Sequence, residues 1–283
     1  MDTKQFYIQH HDQIEDKRFN SPYPLRRYVH RLNYAAIIEL SRIAVSAGAR
    51  ILDAGCGEGV LAFLLADAYP DAQIVVIGSD LSHPNVQSAT TRKKTLEITS
   101  GKSYDIFFHV ADAEQLPSPE NSFDLVVSSH VLEHLPDFRR GLAEIHRLTR
   151  RYAIVAMPTC LNLCAAVLLG RGQYWTTRKK DFLALFYGIG RIFRHLFEDG
   201  VNEGYAGHRS LPHLWRYPWI MKRDLKRAGF KILKFEAGSL AIPFLPSYFP
   251  RFIQAQFIFD RYRKSRLLRN LGFGSIALLQ KME

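Results

Sequence analysis

The chain has 283 residues, 47% of them hydrophobic, enough to bury a full core in one elaborated domain. No basic leader with an apolar h-region opens it, and no apolar run reaches the roughly 18 residues needed to cross a bilayer, so a cytoplasmic protein is expected. The net charge of +11 is uneven: residues 1–157 carry 17 Lys/Arg against 19 Asp/Glu, residues 158–283 carry 21 against 8 and hold 21 of the 35 aromatics. A near-neutral core joined to a basic, aromatic surface for an anionic partner follows from that split.

Residues 1–20 are polar and show no clear period, so the first predicted element is a helix over 24–44. Its apolar positions (Leu25, Tyr28, Val29, Leu32, Ala36, Ile37) share a face, and it is expected to pack on the core as a lid. Strands then alternate with helices: strand 50–54, helix 59–68, strand 73–78, helix 84–99, strand 105–110, strand 123–128, helices 131–135 and 138–149, and strand 152–157. Continuous apolar strands separated by helices predict a parallel sheet covered on both faces, with ligands at the carboxyl ends of the strands. Of the three cysteines, Cys56 falls in a glycine turn and Cys160 and Cys164 in an apolar run, so buried thiols are expected, not disulfides.

Four of those strand ends carry residues suited to one ligand. After the first strand, Gly55, Gly57 and Gly59 let backbone amides approach a ligand at the start of a helix, where an anionic group is held. The second ends at Asp80-Leu81-Ser82, placed to accept from ribose hydroxyls. The third ends at Asp112-Ala113, where Asp112 can accept an adenine amine, and the fourth at Ser128-Ser129-His130. A nicotinamide site is the nearest rival, but its glycine pattern puts the third glycine one residue later.

The motifs Asp53-Ala54-Gly55-Cys56-Gly57-Glu58-Gly59, Asp80-Leu81-Ser82, Asp112-Ala113-Glu114-Gln115-Leu116-Pro117 and Phe123-Asp124-Leu125-Val126 stand in this order. In these the chain resembles the class I S-adenosylmethionine-dependent methyltransferases, closely over 48–157. The resemblance implies a Rossmann-like three-layer α/β sandwich with a seven-stranded, mostly parallel sheet whose last strand is antiparallel. Residues 230–235 and 274–279 would be its last two strands. It implies S-adenosylmethionine as cofactor, held by Asp53, Gly55, Cys56, Gly57, Gly59, Asp80, Leu81, Asp112, Ala113 and Ser129. Asp53 would reach the cofactor directly or position the turn.

At the fourth strand end, His130-Val131-Leu132-Glu133-His134 leaves three readings open: a general-base histidine, a divalent metal, or histidines that only fill polar space. Relatives that hold a metal carry Glu-x-x-Glu-His here, and His130 in place of the first glutamate counts against metal binding. His208, in the loop 204–210, is a candidate to complete a site with His134.

The expected layout is an N-terminal helical lid (1–47), a cofactor core (48–157), a helical cap insertion for substrate selection (158–218), and a C-terminal part of the sheet with a basic aromatic helical insert (219–283). Phe182, Leu185, Phe186, Ile189, Phe193, Leu196 and Phe197 follow helical spacing in the cap. Phe252 to Tyr262 form a second aromatic run beside Arg261, Arg263, Lys264, Arg266 and Arg269. These predict a small-molecule or lipid-linked acceptor with an anionic group, methylated on oxygen or nitrogen, and an anionic membrane surface as a further partner. RNA binding or RNA methylation is the alternative for the basic half, and a non-catalytic cofactor-binding regulator is the alternative to an enzyme.

Overall fold

Ile51 and Leu52, Leu125 and Val126, Ile154 and Val155, and Leu278 and Leu279 are chain neighbours, and all are buried. Successive residues of a strand point to opposite faces, so both faces of this sheet must be covered. A computed structural model describes residues 2–11, 13, 15–205, 208, 210–245, 249 and 251–282 and accounts for the pattern. The strands β1 (Arg50–Ala54), β2 (Val75–Asp80), β3 (Ile106–Val110), β4 (Phe123–Ser129), β5 (Thr149–Met157), β8 (Phe230–Ala237) and β9 (Ser275–Lys281) form one sheet in the order β3-β2-β1-β4-β5-β9-β8. The pairs β1–β2, β1–β4, β2–β3 and β4–β5 are parallel, and β9 runs antiparallel to both β5 and β8.

One face packs on α2 (Pro24–Ser41) and α3 (Val60–Ala68), burying Ala36, Ile37, Leu61 and Leu65 against Ile51, Leu125, Ile154 and Leu278. The other packs on α5 (Phe138–Leu148) and α8 (Pro218–Arg227), burying Leu142, Ile145, Met221 and Leu225 against Leu52, Val126, Val155 and Leu279. The three-layer sandwich is therefore present, with β9 as the antiparallel strand. Helix α4 (His83–Ser100) follows β2 and lies along β3.

Between β5 and α8 the chain builds a cap from α6 (Leu163–Leu169), α7 (Lys179–Arg194) and a two-stranded antiparallel ribbon, β6 (Gly200–Asn202) with β7 (Leu214–Arg216). The ribbon is an addition to the expected helices; its strands are three residues each, too short for a readable alternation. Helices α6 and α7 meet backbone to backbone: a Cβ on Gly170 would lie 1.8 Å from the Ala184 carbonyl oxygen, and one on Gly188 1.7 Å from that of Ala166. The cap is tied to the remaining chain through Leu25 and Val29 of α2, which join Cys164, Val167, Tyr174 and Phe244 in one cluster. Helix α2 thus runs from the cap to the sheet as core, where a lid was expected.

Two segments read differently in the structure. Residues 1–20 hold α1 (Thr3–Gln9) and a π-helical stretch (Glu15–Phe19). Helix α1 buries no residue, so it has no apolar face to produce a period. The expected helix 131–135 is a 3₁₀ turn over Leu132–His134, and His130 precedes it with φ of 59°, in the left-handed region.

The helix crossing in the cap makes a stability prediction. Gly188→Ala should lose roughly 1–3 kcal/mol by forcing α7 off α6, read as a lower urea midpoint. Gly190→Ala, with nothing within 4 Å of the added Cβ, should hold or raise the midpoint.

Candidate active site

The glycine turn after β1 is shaped by backbone conformation. Gly55, Gly57 and Gly59 have φ of 79°, 53° and 76°, where L side chains are strained. Space enforces the same choice, since a Cβ on Gly55 would lie 2.2 Å from Val131 Cγ2. The turn is pinned by Asp80 at the end of β2, whose Oδ2 accepts from Gly57 N–H at 2.9 Å and whose Oδ1 accepts from Ser82 N–H at 2.8 Å.

Around it lies a cavity at the carboxyl ends of β1 to β4. Among the expected cofactor residues, Gly55, Gly57, Asp80, Leu81, Asp112, Ala113 and Ser129 line it. Asp53, Cys56 and Gly59 do not. Asp53 is buried beneath the turn, its Oδ2 without a hydrogen-bond partner, and burial plus repulsion from Asp80 pushes its pKa up to about 7. The Cys56 thiol is also buried, with Sγ 3.5 Å from the Gly57 carbonyl oxygen, and Gly59 serves as the N-cap of α3. Cys160 and Cys164 are likewise buried free thiols.

Helix α1 closes this cavity with polar contacts. Lys4 Nζ reaches Asp112 Oδ2 at 2.5 Å and Glu114 Oε2 at 2.6 Å, so Asp112 is ion-paired where an adenine acceptor was expected. The Tyr7 hydroxyl meets His134 Nδ1 at 2.9 Å, His11 meets Glu58 at 2.7 Å, and Ser82 Oγ donates to the His10 carbonyl.

His130 and His134 both line the cavity, and their surroundings differ. His130 Nδ1 lies 3.2 Å from Glu133 Oε1, and its Nε2 lies 3.0 Å from Asn33 Nδ2 of α2. With the amide nitrogen donating to Nε2, the proton sits on Nδ1 and points at the carboxylate. Burial alone would push the Glu133 carboxyl up; the hydrogen bond from His130 and the charges of His134, His130 and His213 outweigh it and hold Glu133 below the usual range. His134 stacks on His213 with centroids 4.7 Å apart and planes 6° apart. The histidine beside His134 is thus His213, on the segment leading into β7. His208 instead packs its ring 6.1 Å from Phe6, and Ala206, Gly207 and Arg209 of its loop lie outside the described residues. One ligand atom from each of Glu133, His134 and His213 lies within 4.8 Å of the others, a donor set able to take a divalent ion; His130 is outside that set.

A second chamber lies beside the first, between α2 and the cap. Arg18, His30, Asn33 and His130 line both. The remaining wall is Arg26, Val29, Pro158, Leu168, Tyr174, Trp175, His213, Trp215, Phe273 and Gly274, with no carboxylate among the described lining residues. His30 is kept neutral, first by burial and then by Arg18, His130 and Arg26. Sequence patterns could not single out Lys4, Tyr7, Arg18, Arg26, Asn33 or His213, because none belongs to a motif.

Comparison with known proteins agrees with this geometry. A family described as a methyltransferase domain matches residues 52–157. Demethylmenaquinone methyltransferase of Geobacillus kaustophilus is 30% identical over 70% of this chain and 82% of its own length. Malonyl-[acyl-carrier protein] O-methyltransferase of Geobacter sulfurreducens is 40% identical, but the match spans only 35% of this chain and 34% of that protein. Among solved structures, magnesium protoporphyrin IX methyltransferase from Synechocystis PCC 6803 with bound S-adenosylmethionine covers 99% of this chain and 98% of its own, with a TM-score of 0.58 at 15% identity, a likeness of fold. The chain belongs to the class I S-adenosylmethionine-dependent methyltransferases. It is an enzyme of that class, and S-adenosylmethionine is its methyl donor.

The cavity fits that donor: it offers a cradle that a Cβ would fill at Gly55, with the Asp80 carboxylate and a helix start beside it. Asp80→Ala leaves the Gly57 and Ser82 amides without their acceptor, and should weaken S-adenosylmethionine binding by at least roughly tenfold in isothermal titration. Unchanged affinity would remove Asp80 from the site.

Asp53 makes a pH prediction. Its carboxyl titrates about 7 folded against an ordinary 3.8, so it is neutral in the folded chain where the unfolded chain has already ionised. The stability present below pH 3.8 is lost as pH rises toward 7, and the loss is constant above that. Asp53→Asn should flatten this decline in urea unfolding of the cofactor-free protein.

Proposed function

We propose that the enzyme methylates an oxygen or nitrogen nucleophile on a small-molecule acceptor that is apolar or lipid-linked and carries an anionic group. The observation that carries this reading is the position of His130, on the wall shared by the cofactor cavity and the aromatic chamber.

S-adenosylmethionine supplies an electrophilic methyl on a sulfonium, so the chain need only align the nucleophile, exclude water and take up a proton. Asn33 and Glu133 fix the His130 ring from both sides. An acceptor hydroxyl in the chamber would displace the Asn33 amide and donate to His130 Nε2, which takes its proton as the new bond to carbon forms. The anionic Glu133 stabilises the resulting imidazolium through Nδ1–H, and its depressed pKa keeps it charged for that task. His134, held by Tyr7 and stacked on His213, orders the wall beside it. The left-handed backbone at His130 is the kind of strain that persists where function requires it.

The reading of an apolar acceptor extends to an anionic membrane surface. Phe186, Tyr187, Phe193 and Phe197 on or just past α7, and Phe257, Ile258 and Tyr262 on or just past α9 (Phe252–Asp260), are exposed, with Arg194, Arg261 and Arg266 exposed among them. No described helix is long and apolar enough to cross a membrane. Two of the expected cations do not contribute: Arg263 is buried and paired with Glu236 at 2.7 Å, and Lys264 pairs with Glu39.

Incubation with methyl-labelled S-adenosylmethionine and a cell extract, separated into lipid, small-molecule and RNA fractions, tests the reading. Label in the lipid or small-molecule fraction supports it; label in RNA, or none anywhere, overturns it. His130→Ala should lower turnover roughly 10²- to 10⁴-fold while leaving cofactor affinity nearly unchanged.

A further inference from the structure

The two buried arginines among the described residues come with carboxylates: Arg216 lies 2.6 Å from Asp224 and Arg263 2.7 Å from Glu236. Arg26 differs. It is half-buried on the chamber wall, and its guanidinium carbon stands 4.3 Å from the centroid of the Trp175 ring, with no carboxylate partner among the described residues. Its neighbours on α2 are engaged elsewhere, Arg27 with the Ser21 carbonyl at 2.6 Å and Arg31 with the Phe19 carbonyl at 3.0 Å. A buried guanidinium is costly unless an anion meets it, and a planar one stacked on indole keeps its edge free to grip an oxyanion in bidentate fashion.

A second observation points into the same space. The Tyr174 hydroxyl is fully buried and has no hydrogen-bond partner among the described residues, although such groups are nearly always satisfied. Tyr174 packs edge-on to Trp175 at 4.7 Å and against Phe273 at 4.9 Å, and Tyr174 and Arg26 both line one aromatic-walled chamber. Aromatic walls favour a flat ring, the cation an oxyanion, and the hydroxyl a hydrogen-bonding substituent.

We propose that this chamber seats a planar aromatic acceptor bearing a carboxylate or phosphate, with Arg26 on its Trp175 platform holding the oxyanion and Tyr174 bonding a ring substituent. The acceptor's nucleophile then faces His130 at the other end of the chamber. The assignment rests on the reading that the acceptor carries an anionic group, and it names the residues and ligand class of that site.

Intrinsic tryptophan fluorescence of the protein loaded with S-adenosylhomocysteine tests it, with 4-hydroxybenzoate, 4-hydroxyphenyl phosphate and neutral 4-cresol as probes. At least one of the two acids should bind roughly tenfold or more tightly than cresol, and their ratio tells carboxylate from phosphate. Arg26→Met should abolish that preference, Arg26→Lys should restore part of it, and Arg27→Met should leave it intact. Arg26 stands outside the cofactor cavity, so Arg26→Met should retain wild-type cofactor affinity, which reports a folded variant. Equal binding of acids and cresol, no binding of either acid at millimolar concentration, or an acid preference that survives Arg26→Met would overturn the assignment. Transfer of label to an acceptor without acid preference would defeat this assignment and leave the methyl-transfer reading standing; acid preference with no labelled product from any extract would do the reverse.

Discussion

The close approach of the β1 and β4 ends is the constraint on which the site depends. Gly55 sits where any Cβ would collide with Val131, so the turn after β1 and the segment after β4 can pack only if residue 55 is glycine. That contact brings the backbone cradle and His130 to one cavity wall. The parallel pairing of β1 with β4 makes the approach possible, since it delivers two carboxyl ends to the same edge of the sheet.

Around this junction the molecule separates two kinds of environment. Asp80 and the glycine turn are organised by backbone amides, which hold a charged carboxylate near the surface of the cavity. Asp53, one step deeper, lacks such partners and is pushed toward neutrality. The difference between two aspartates 27 positions apart in sequence is thus one of hydrogen bonding and burial, with the residue type unchanged. The same contrast separates Glu133, held charged by histidines, from the ordinary acids of the surface.

The basic second half of the chain resolves into distinct uses. Some of its cations are structural, such as Arg216 over the Phe138 ring at 3.6 Å and Arg263 in its buried pair. Its apolar side chains divide along α7, where Phe182 and Leu185 turn inward to the cap cluster while Phe186 and Phe193 face solvent. Helical spacing put these residues on one helix but could not say which would find partners, because the cap folds against α2, far away in the chain.

The alternation of strands and helices from β1 to β5 could be read from the sequence alone, because it depends on periodicity within a few tens of residues and the apolar runs of β1, β4 and β5 admit few other environments. The seven-stranded sheet and the methyl donor came through the family resemblance that four ordered motifs carry. Only the tertiary structure decided what closes the cavity and which residues line the chamber beside it. Lys4 meets Asp112 across 108 positions and Tyr7 meets His134 across 127, and α1 buries nothing that would mark it as an element. His213 displaced His208 beside His134 for the same reason: the β6–β7 ribbon aims a side chain that local sequence cannot aim. Polar contacts between distant segments leave no period in the chain, so they become visible only when the fold brings their ends together.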